Sequence, residues 1–186
     1  MINVKLKKKE IGIVIKKDIS ENQVKIVFLA VGSNLGEKNH NIQIVKSKLI
    51  ENEINIIKTS GIYETLSWPN PCNPTFVNLI LKVKTILSPS KLLHTCMKIE
   101  DEMGRKRRKK NDPRICDIDI IDYDQKKVNI KNLKLTIPHS EMHKRSFVLL
   151  PLYEIAKNWI HPKKKVNISQ LLNSLEINDL RTVKQI

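Results

Sequence analysis

Asp117 and Asp119 are the residues of this chain best placed to do chemistry. They stand two apart in the apolar run Asp117-Ile-Asp-Ile-Ile121. A β-strand sends positions i and i+2 to the same face, roughly 6–7 Å apart, so the two carboxylates point together while Ile118 and Ile120 alternate with them. Just upstream lie six consecutive basic residues, Arg105-Lys-Arg-Arg-Lys-Lys110, followed closely by Asp112-Pro-Arg114. Six adjacent cations repel one another unless an anion offsets them. The pairing suits Mg²⁺-bound phosphates: the cations hold a polyphosphate and the carboxylates hold the metal that neutralises it. These residues predict a Mg-dependent enzyme acting on ATP.

The arginines sharpen that expectation. The net charge is +15 with a pI near 9.8, but it is carried by 28 Lys against only 6 Arg, in a chain that also holds 27 Ile and 17 Asn. A Lys/Ile/Asn excess can reflect coding bias as easily as selection for positive charge. Arginine is different. Arg105, Arg107, Arg108 and Arg114 share one ten-residue window, Arg145 follows Pro138-His139, and only Arg181 lies apart. Arginine kept where lysine otherwise supplies charge marks sites that need a planar, bidentate fork.

Other groups are weighed against simpler roles. Gly32-Ser-Asn-Leu-Gly-Glu-Lys38 lies between a strand and a helix, yet three residues rather than four separate the glycines and Glu37 stands where a phosphate loop needs Lys; a tight turn is the better reading. Cys72, Cys96 and Cys116 are odd in number and widely spaced, so they form neither a disulfide framework nor a metal pattern. Trp68 sits in a loop with three prolines, a candidate lid over a ligand. Phe76 and Asn78 share the strand face opposite Val77 and Leu79. There a flat ring could stack on the aromatic residues while Asn78 reads its polar edge. His139 and Arg145 flank a helix start and fit a nucleotide contact.

Elements that position these groups follow from periodicity. Val24–Val31 is a buried strand, Lys38–Glu51 a helix with Ile42, Val45, Leu49 and Ile50 on one face, and Ile54–Glu64 an alternating second strand. Phe76–Ile86 is a third strand. Ser88-Pro89 caps a helix reaching Met103, with Gly104 as its stop. Cys116–Tyr123 is a fourth strand. The order β-α-β-β-α-β predicts an α+β sandwich on a ferredoxin-like core with a mainly antiparallel sheet. A C-terminal hairpin (Lys127–Ile130, Leu135–His139) and further helices are added: Glu141–Ala156, interrupted at Pro151, and Ile168–Leu175, capped by Asn167. Residues 24–186 are expected to form one domain. Residues 1–23 are a lysine-rich extension of no assigned role, and no run is apolar enough to span a membrane. Lacking a signal or transit pattern, the chain is expected to be cytoplasmic.

With these residues in place, the chain resembles the 6-hydroxymethyl-7,8-dihydropterin pyrophosphokinase family. Gly32-Ser-Asn-Leu35, Thr65, Phe76-Val-Asn78, Ile99-Glu100 and Gly104-Arg105 follow in family order. So do Pro113-Arg114-x-x-Asp117-Ile-Asp119-Ile-Ile121, Pro138-His139, Arg145-x-Phe147 and Pro151-Leu-Tyr-Glu-Ile155. The resemblance implies transfer of pyrophosphate from ATP to the pterin hydroxymethyl group, releasing AMP. It implies that Asp117 and Asp119 hold two Mg²⁺ ions and that Arg105 and Arg114 act in catalysis. Glu100, Arg107, Arg114, Ile120, Thr136, His139 and Arg145 would form the ATP site, and Thr65, Leu66, Trp68, Phe76, Asn78 and Phe147 the pterin pocket. A monomer that binds neither nucleic acid nor membrane is expected. Asn111, Asp112 and Ser140 depart from the family pattern and would weaken closure of the basic loop. Two rivals stand beside this reading. One is a basic nucleic-acid-binding module, against which the lack of nearby stacking aromatics counts. The other is a family member that binds pterin but has lost catalysis.

Overall fold

The computed structural model describes residues 23–67, 70, 72–105 and 112–186. Trp68, Arg107, Arg108 and Asn111, and nearly all of the N-terminal extension, lie outside the described residues.

The predicted order of elements is present: β1 (Lys25–Ser33), α1 (Lys38–Glu51), β2 (Asn55–Thr59), β3 (Tyr63–Thr65), β4 (Phe76–Thr85), α2 (Pro89–Glu102) and β5 (Asp117–Tyr123). β4 pairs with β1 along one edge and with both β2 and β3 along the other, and β1 pairs with β5, all antiparallel. Counting β2 and β3 as one broken strand, the spatial order is fourth, first, third, second. That is the ferredoxin-like arrangement, reached because each β-α-β crossover leaves room for the other's strand between its own.

The second strand breaks where the alternation from Ile54 to Glu64 gives no warning. Ser60 makes the cause visible: its N–H donates to the Ile80 carbonyl (3.0 Å) and its Oγ accepts from the Ile80 N–H (2.9 Å). The Gly61 N–H then turns to the Glu154 carboxylate, at 3.0 and 2.9 Å. A side chain thus replaces a ladder bond, and the strand resumes at Tyr63.

Two apolar layers enclose the sheet. Val27, Leu29 and Val31 of β1 join Leu79, Leu81 and Val83 of β4 against Ile42, Val45 and Leu49 of α1 and Leu92 and Ile99 of α2. Ile50 is not part of that stripe; it is 54% exposed at the end of α1. On the opposite face Phe28, Ile80 and Ile121 pack beneath α3 (Ser146–Ile155). The helix expected over Glu141–Ala156 breaks earlier than proline chemistry suggests. A short 3-10 turn (Met142–Lys144) ends at Arg145, whose backbone is extended (φ −111°, ψ 103°), and α3 begins after it. Pro151 lies inside α3 without interrupting it. Only the bond to the Phe147 carbonyl is forfeited, and burial of Val148, Leu149 and Leu152 offsets the loss.

Outside the core, β6 (Val128–Ile130) and β7 (Leu135–Ile137) form the expected hairpin. Asn167 caps α4 (Ile168–Asn173) in a reciprocal capping box with Gln170. Beyond the expected elements, α5 (Ile177–Arg181) leads to β8 (Val183–Gln185), which adds to the sheet alongside β3.

Candidate active site

The strand period sets the floor of the site. On β5 the side chains of Ile118 and Ile120 are buried in the α1/α2 layer, leaving Asp117 and Asp119 on the other face, partly exposed. The sheet register places Asn78, Gly32 and Asp117 in one cross-strand row, and Ile80, Ala30 and Asp119 in the next. Side chains of one row project to the same face. Along β1 that face steps down from Phe28 through Ala30 to Gly32. The glycine leaves space: a Cβ there would lie 3.2 Å from Asn78 Oδ1 and 3.7 Å from Phe76 Cδ1. The apolar layer under α3 thus gives way to a floor edged by an amide and two carboxylates.

Three arginines converge on those carboxylates from different elements. Gly104 ends α2 with φ +85°, a conformation glycine adopts without strain, and turns the chain so that Arg105 reaches back. The Arg105 guanidinium pairs with Asp117 Oδ1 at 2.6 Å and with Glu100. Glu100 is only 4% exposed, and its carboxylate also accepts the Ile118 N–H at 2.8 Å. It therefore ties the helix end, the first arginine and the carboxylate strand together. Arg114 contacts Asp117 Oδ2 at 3.1 Å and lies 5.5 Å from the centre of the Phe76 ring. Arg145 contacts Asp119 Oδ2 at 3.4 Å and lies 5.8 Å from the Phe147 ring. The extended backbone that breaks the helix before α3 is what aims Arg145 here. One donor is left over: Arg114 Nε is buried without a hydrogen-bond partner among the described residues.

His139 completes the group. β5 carries a bulge, since Leu29 pairs with Ile120 while Phe28 pairs with Asp122. The extra residue, Ile121, presents its carbonyl to the His139 N–H at 3.1 Å. The His139 ring then sits with Nε2 3.9 Å from Asp119 Oδ2. Burial raises the proton affinity of Asp119, and the negative charge of Asp117 adds to the rise; His139, Arg145 and Arg105 oppose it. Burial lowers the pKa of His139, with Asp119 pulling upward and Arg145 downward. Two like charges side by side, held by cations, make a site that a divalent ion would relieve.

On the outer edge of β5 a pocket of about 210 Å³ is lined by Ile118, Asp119, Ile120, Thr136, His139 and Ser140, among others. The Ile118 N–H points outward to Glu100. Backbone groups two apart share an edge, so the Ile120 N–H and carbonyl also face outward. Glu100, Arg114, Ile120, Thr136, His139 and Arg145 are thus brought around one end of β5. Thr65, Phe76 and Asn78 gather on the adjoining strands, where Asn78 Nδ2 donates to Thr65 Oγ1 at 3.0 Å. Leu66 is 53% exposed beside them, and Phe147 is half-buried at the start of α3. Arg107 and Trp68 fall outside the described residues.

Sequence reasoning gave Asn34 no role beyond membership of a turn. It is 1% exposed, and its side chain bonds the Arg114 N–H, Ser67 Oγ and the Pro74 carbonyl. Nothing but its place in the Gly-Ser-Asn-Leu element could have signalled this. A second anchor was missed as well: Lys38 Nζ meets Thr75 Oγ1 (2.8 Å) and Glu64 Oε1 (3.2 Å).

Comparison with known proteins gives the sequence and the fold a family. Residues 28–157 fit the model of the family described as 7,8-dihydro-6-hydroxymethylpterin-pyrophosphokinase (HPPK). The chain is 42% identical over 136 residues to the 2-amino-4-hydroxy-6-hydroxymethyldihydropteridine pyrophosphokinase of Aquifex aeolicus, covering 73% of this chain and 83% of that one. It is 42% identical over 146 residues to the folic acid synthesis protein FOL1 of Dictyostelium discoideum, covering 78% of this chain. It spans only 22% of the length of that longer relative, and similar shares (21% and 22%) of its fungal counterparts from Schizosaccharomyces pombe and Pneumocystis carinii. Among solved structures, the wild-type Plasmodium falciparum HPPK-DHPS superposes with a TM-score of 0.70 at 19% identity, over 89% of this chain and 48% of the other, a likeness of fold. A domain match over most of the chain, and a relative 42% identical that is covered over 83% of its length, carry one conclusion: the chain belongs to the 7,8-dihydro-6-hydroxymethylpterin-pyrophosphokinase family.

Proposed function

We propose that this chain transfers the pyrophosphoryl group of ATP to 6-hydroxymethyl-7,8-dihydropterin, giving AMP and the pterin pyrophosphate, a step in folate biosynthesis. The observation that carries the proposal is the convergence of Arg105, Arg114 and Arg145 on Asp117 and Asp119, beside the floor formed by Gly32 and Asn78. In the reaction the pterin hydroxyl oxygen bonds to the β-phosphorus and gives up its proton. The bond from that phosphorus to the α-phosphate oxygen breaks, and AMP leaves with the electron pair. No covalent enzyme intermediate is required, so positioning and charge stabilisation supply the acceleration.

The donor set fits Mg²⁺. Among the described residues no group of three or more His, Cys, Asp or Glu side chains gathers as a cage. Mg²⁺ does not ask for one, since it keeps several waters and takes one or two carboxylates plus substrate phosphates. Asp117 and Asp119 are the residues that would hold it, two ions on the family pattern. Bound there, Mg²⁺ would neutralise phosphate charge and polarise the phosphoryl oxygens.

The chain's own groups do the rest. In the free protein the arginines are paired with the carboxylates, which keeps them gathered without leaving buried charge unpaired. Bound phosphates would take over those forks, and the buried Arg114 Nε–H offers a donor for one more phosphate oxygen. Glu100 fixes Arg105 against β5 throughout. The pocket at the open edge of β5 suits the adenine, with the Ile120 backbone offering a donor and an acceptor to the base and Thr136 and His139 at its rim. On the other side Asn78 would read the polar edge of the pterin while Phe76, Phe147, Leu66 and Trp68 enclose its ring. Arg107 joins the phosphate contacts in this scheme. A cytoplasmic monomer is part of the same proposal; among the described residues no helix is long and apolar enough to cross a membrane.

Incubating the purified protein with ATP, Mg²⁺ and 6-hydroxymethyl-7,8-dihydropterin tests the assignment. AMP and pterin pyrophosphate should appear in equal amounts, and neither should form when the pterin or Mg²⁺ is omitted. Folded protein that releases no AMP, yet binds oligonucleotides with a steep salt dependence, would shift the assignment to nucleic-acid binding.

A further inference from the structure

Asn34 has both ends of its carboxamide and its backbone N–H engaged. Its Oδ1 accepts the Arg114 N–H at 2.7 Å, while its own backbone N–H donates to the Arg114 carbonyl at 3.1 Å. Its Nδ2 donates to Ser67 Oγ and to the Pro74 carbonyl, each at 3.3 Å. One carboxamide therefore joins chain segments 33, 40 and 80 positions away. The base of this post is fixed independently. Asn41 of α1 donates to Ser33 Oγ (3.1 Å) and to the Leu35 carbonyl (2.8 Å), and Gly36 takes φ +67° to close the turn.

The two halves of the amide serve different ends. The acceptor half, with the backbone bond, fixes Arg114, whose guanidinium meets Asp117 and Phe76. The donor half gathers Ser67 and Pro74, which lie just beyond Thr65 and just before Phe76, both floor residues of the pterin side. Ser67 Oγ also bonds the Pro74 carbonyl, so the two are tied to each other as well as to Asn34. Among common side chains, asparagine supplies an acceptor and two donors on one short planar head; aspartate has no donor, and serine is too short to span.

We infer that Asn34 is a positioning residue for the transfer, holding the arginine that meets the phosphates and the segment that borders the pterin in fixed relation. Its contact with the reacting groups is indirect. The inference rests on the function proposed above. It differs from a purely structural role because it predicts that the two halves of the amide separate kinetically. Asn34→Asp keeps the acceptor toward Arg114 and loses both donors. Ser67→Ala removes one partner of the donor half and is the milder change for folding. Asn34→Ala loses both halves.

The experiment measures kcat and both KM values by AMP release for the parent and these three variants, with thermal midpoints alongside. Asn34→Asp and Ser67→Ala should raise the pterin KM about ten-fold, the scale of one or two lost hydrogen bonds, with kcat and the ATP KM within about three-fold of the parent. Asn34→Ala should raise the pterin KM similarly and also lower kcat at least ten-fold. If Asn34→Asp does not fold, Ser67→Ala alone carries the donor-half prediction. Folded variants that keep the parent's KM and kcat while losing only thermal stability would overturn the inference. So would a Ser67→Ala variant that loses kcat and pterin KM in the same proportion as Asn34→Ala. A folded parent that releases no AMP sinks the proposed function itself, whereas an active parent with kinetically silent variants sinks only the role of Asn34.

Discussion

Replacing Gly32 with alanine should separate binding from stability. The new Cβ would lie 3.2 Å from Asn78 Oδ1, and 3.7 Å from both Phe76 Cδ1 and the Val77 carbonyl oxygen. The Asn78 amide is anchored through Nδ2 to Thr65 Oγ1, so it can give by only a few tenths of an ångström. In the free protein that crowding opposes the gain of about 0.4–1 kcal/mol that alanine brings by restricting the unfolded chain. The net effect on folding should stay within about 1 kcal/mol, or roughly 2–4 °C in the thermal midpoint. Ligand binding has no such compensation. The methyl rises from the floor between Asn78 and Asp117, where a flat ring must lie to be read by the amide. Overpacking costs about 1–3 kcal/mol, which converts to a rise of roughly 5- to 150-fold in the pterin KM. Steady-state AMP release against pterin concentration reads this directly, with the affinity for a non-hydrolysable ATP analogue as the control. A pterin KM unchanged in a folded Gly32→Ala variant would refute the placement of the ring on this floor.

Three further outcomes follow from the same geometry. Asp119→Asn should cut kcat by about 10²–10³-fold, the scale of a lost charge-stabilising contact. Because burial and Asp117 already disfavour the Asp119 charge, its thermal midpoint should match or exceed the parent's, and a clear loss of stability would count against the assignment. Tyr63→Phe deletes the hydroxyl that donates to Glu154 at 3.0 Å, and should cost about 1 kcal/mol of stability with both KM values unchanged. Burial, together with His143 and Lys164, lowers the pKa of His161, so its neutral form belongs to the folded state. The stability it contributes is complete above the unfolded value of about 6.5 and is lost as pH falls through that value toward the lower folded one. The midpoint should therefore fall as the pH is lowered below about 6.5. The drop should shrink in His161→Asn, which can still accept from the Lys163 and Lys164 N–H groups; an undiminished drop would exclude His161 as its source.

The sequence by itself determined those features whose physics is local. A strand repeats every two residues whatever surrounds it, so the shared face of Asp117 and Asp119 needed no coordinates. The apolar stripe of β4 and the caps at Ser88 and Asn167 rest on equally short-range chemistry. From these the β-α-β-β-α-β order and the ferredoxin-like sheet followed. Clustered arginines pointed to a candidate anion site for a similar reason: their side-chain geometry is a property of the residue type.

Only the tertiary structure decided which groups meet across the chain. The second strand breaks because Glu154, 93 positions away, takes the Gly61 N–H, and no pattern within Ile54–Glu64 records that partner. The helix before α3 breaks at Arg145 rather than at Pro151. There an extended backbone aims the guanidinium at Asp119, whereas the proline loses one bond inside a well-buried helix. The β5 bulge that presents the Ile121 carbonyl to His139 is a matter of register between strands, which alternation within either strand leaves open. Asn34 is the clearest case: an asparagine in a turn looks like any other until Arg114, 80 positions on, arrives to be held. Local preference reaches only a few residues along the chain, and a buried polar group is defined by partners that folding brings from far away.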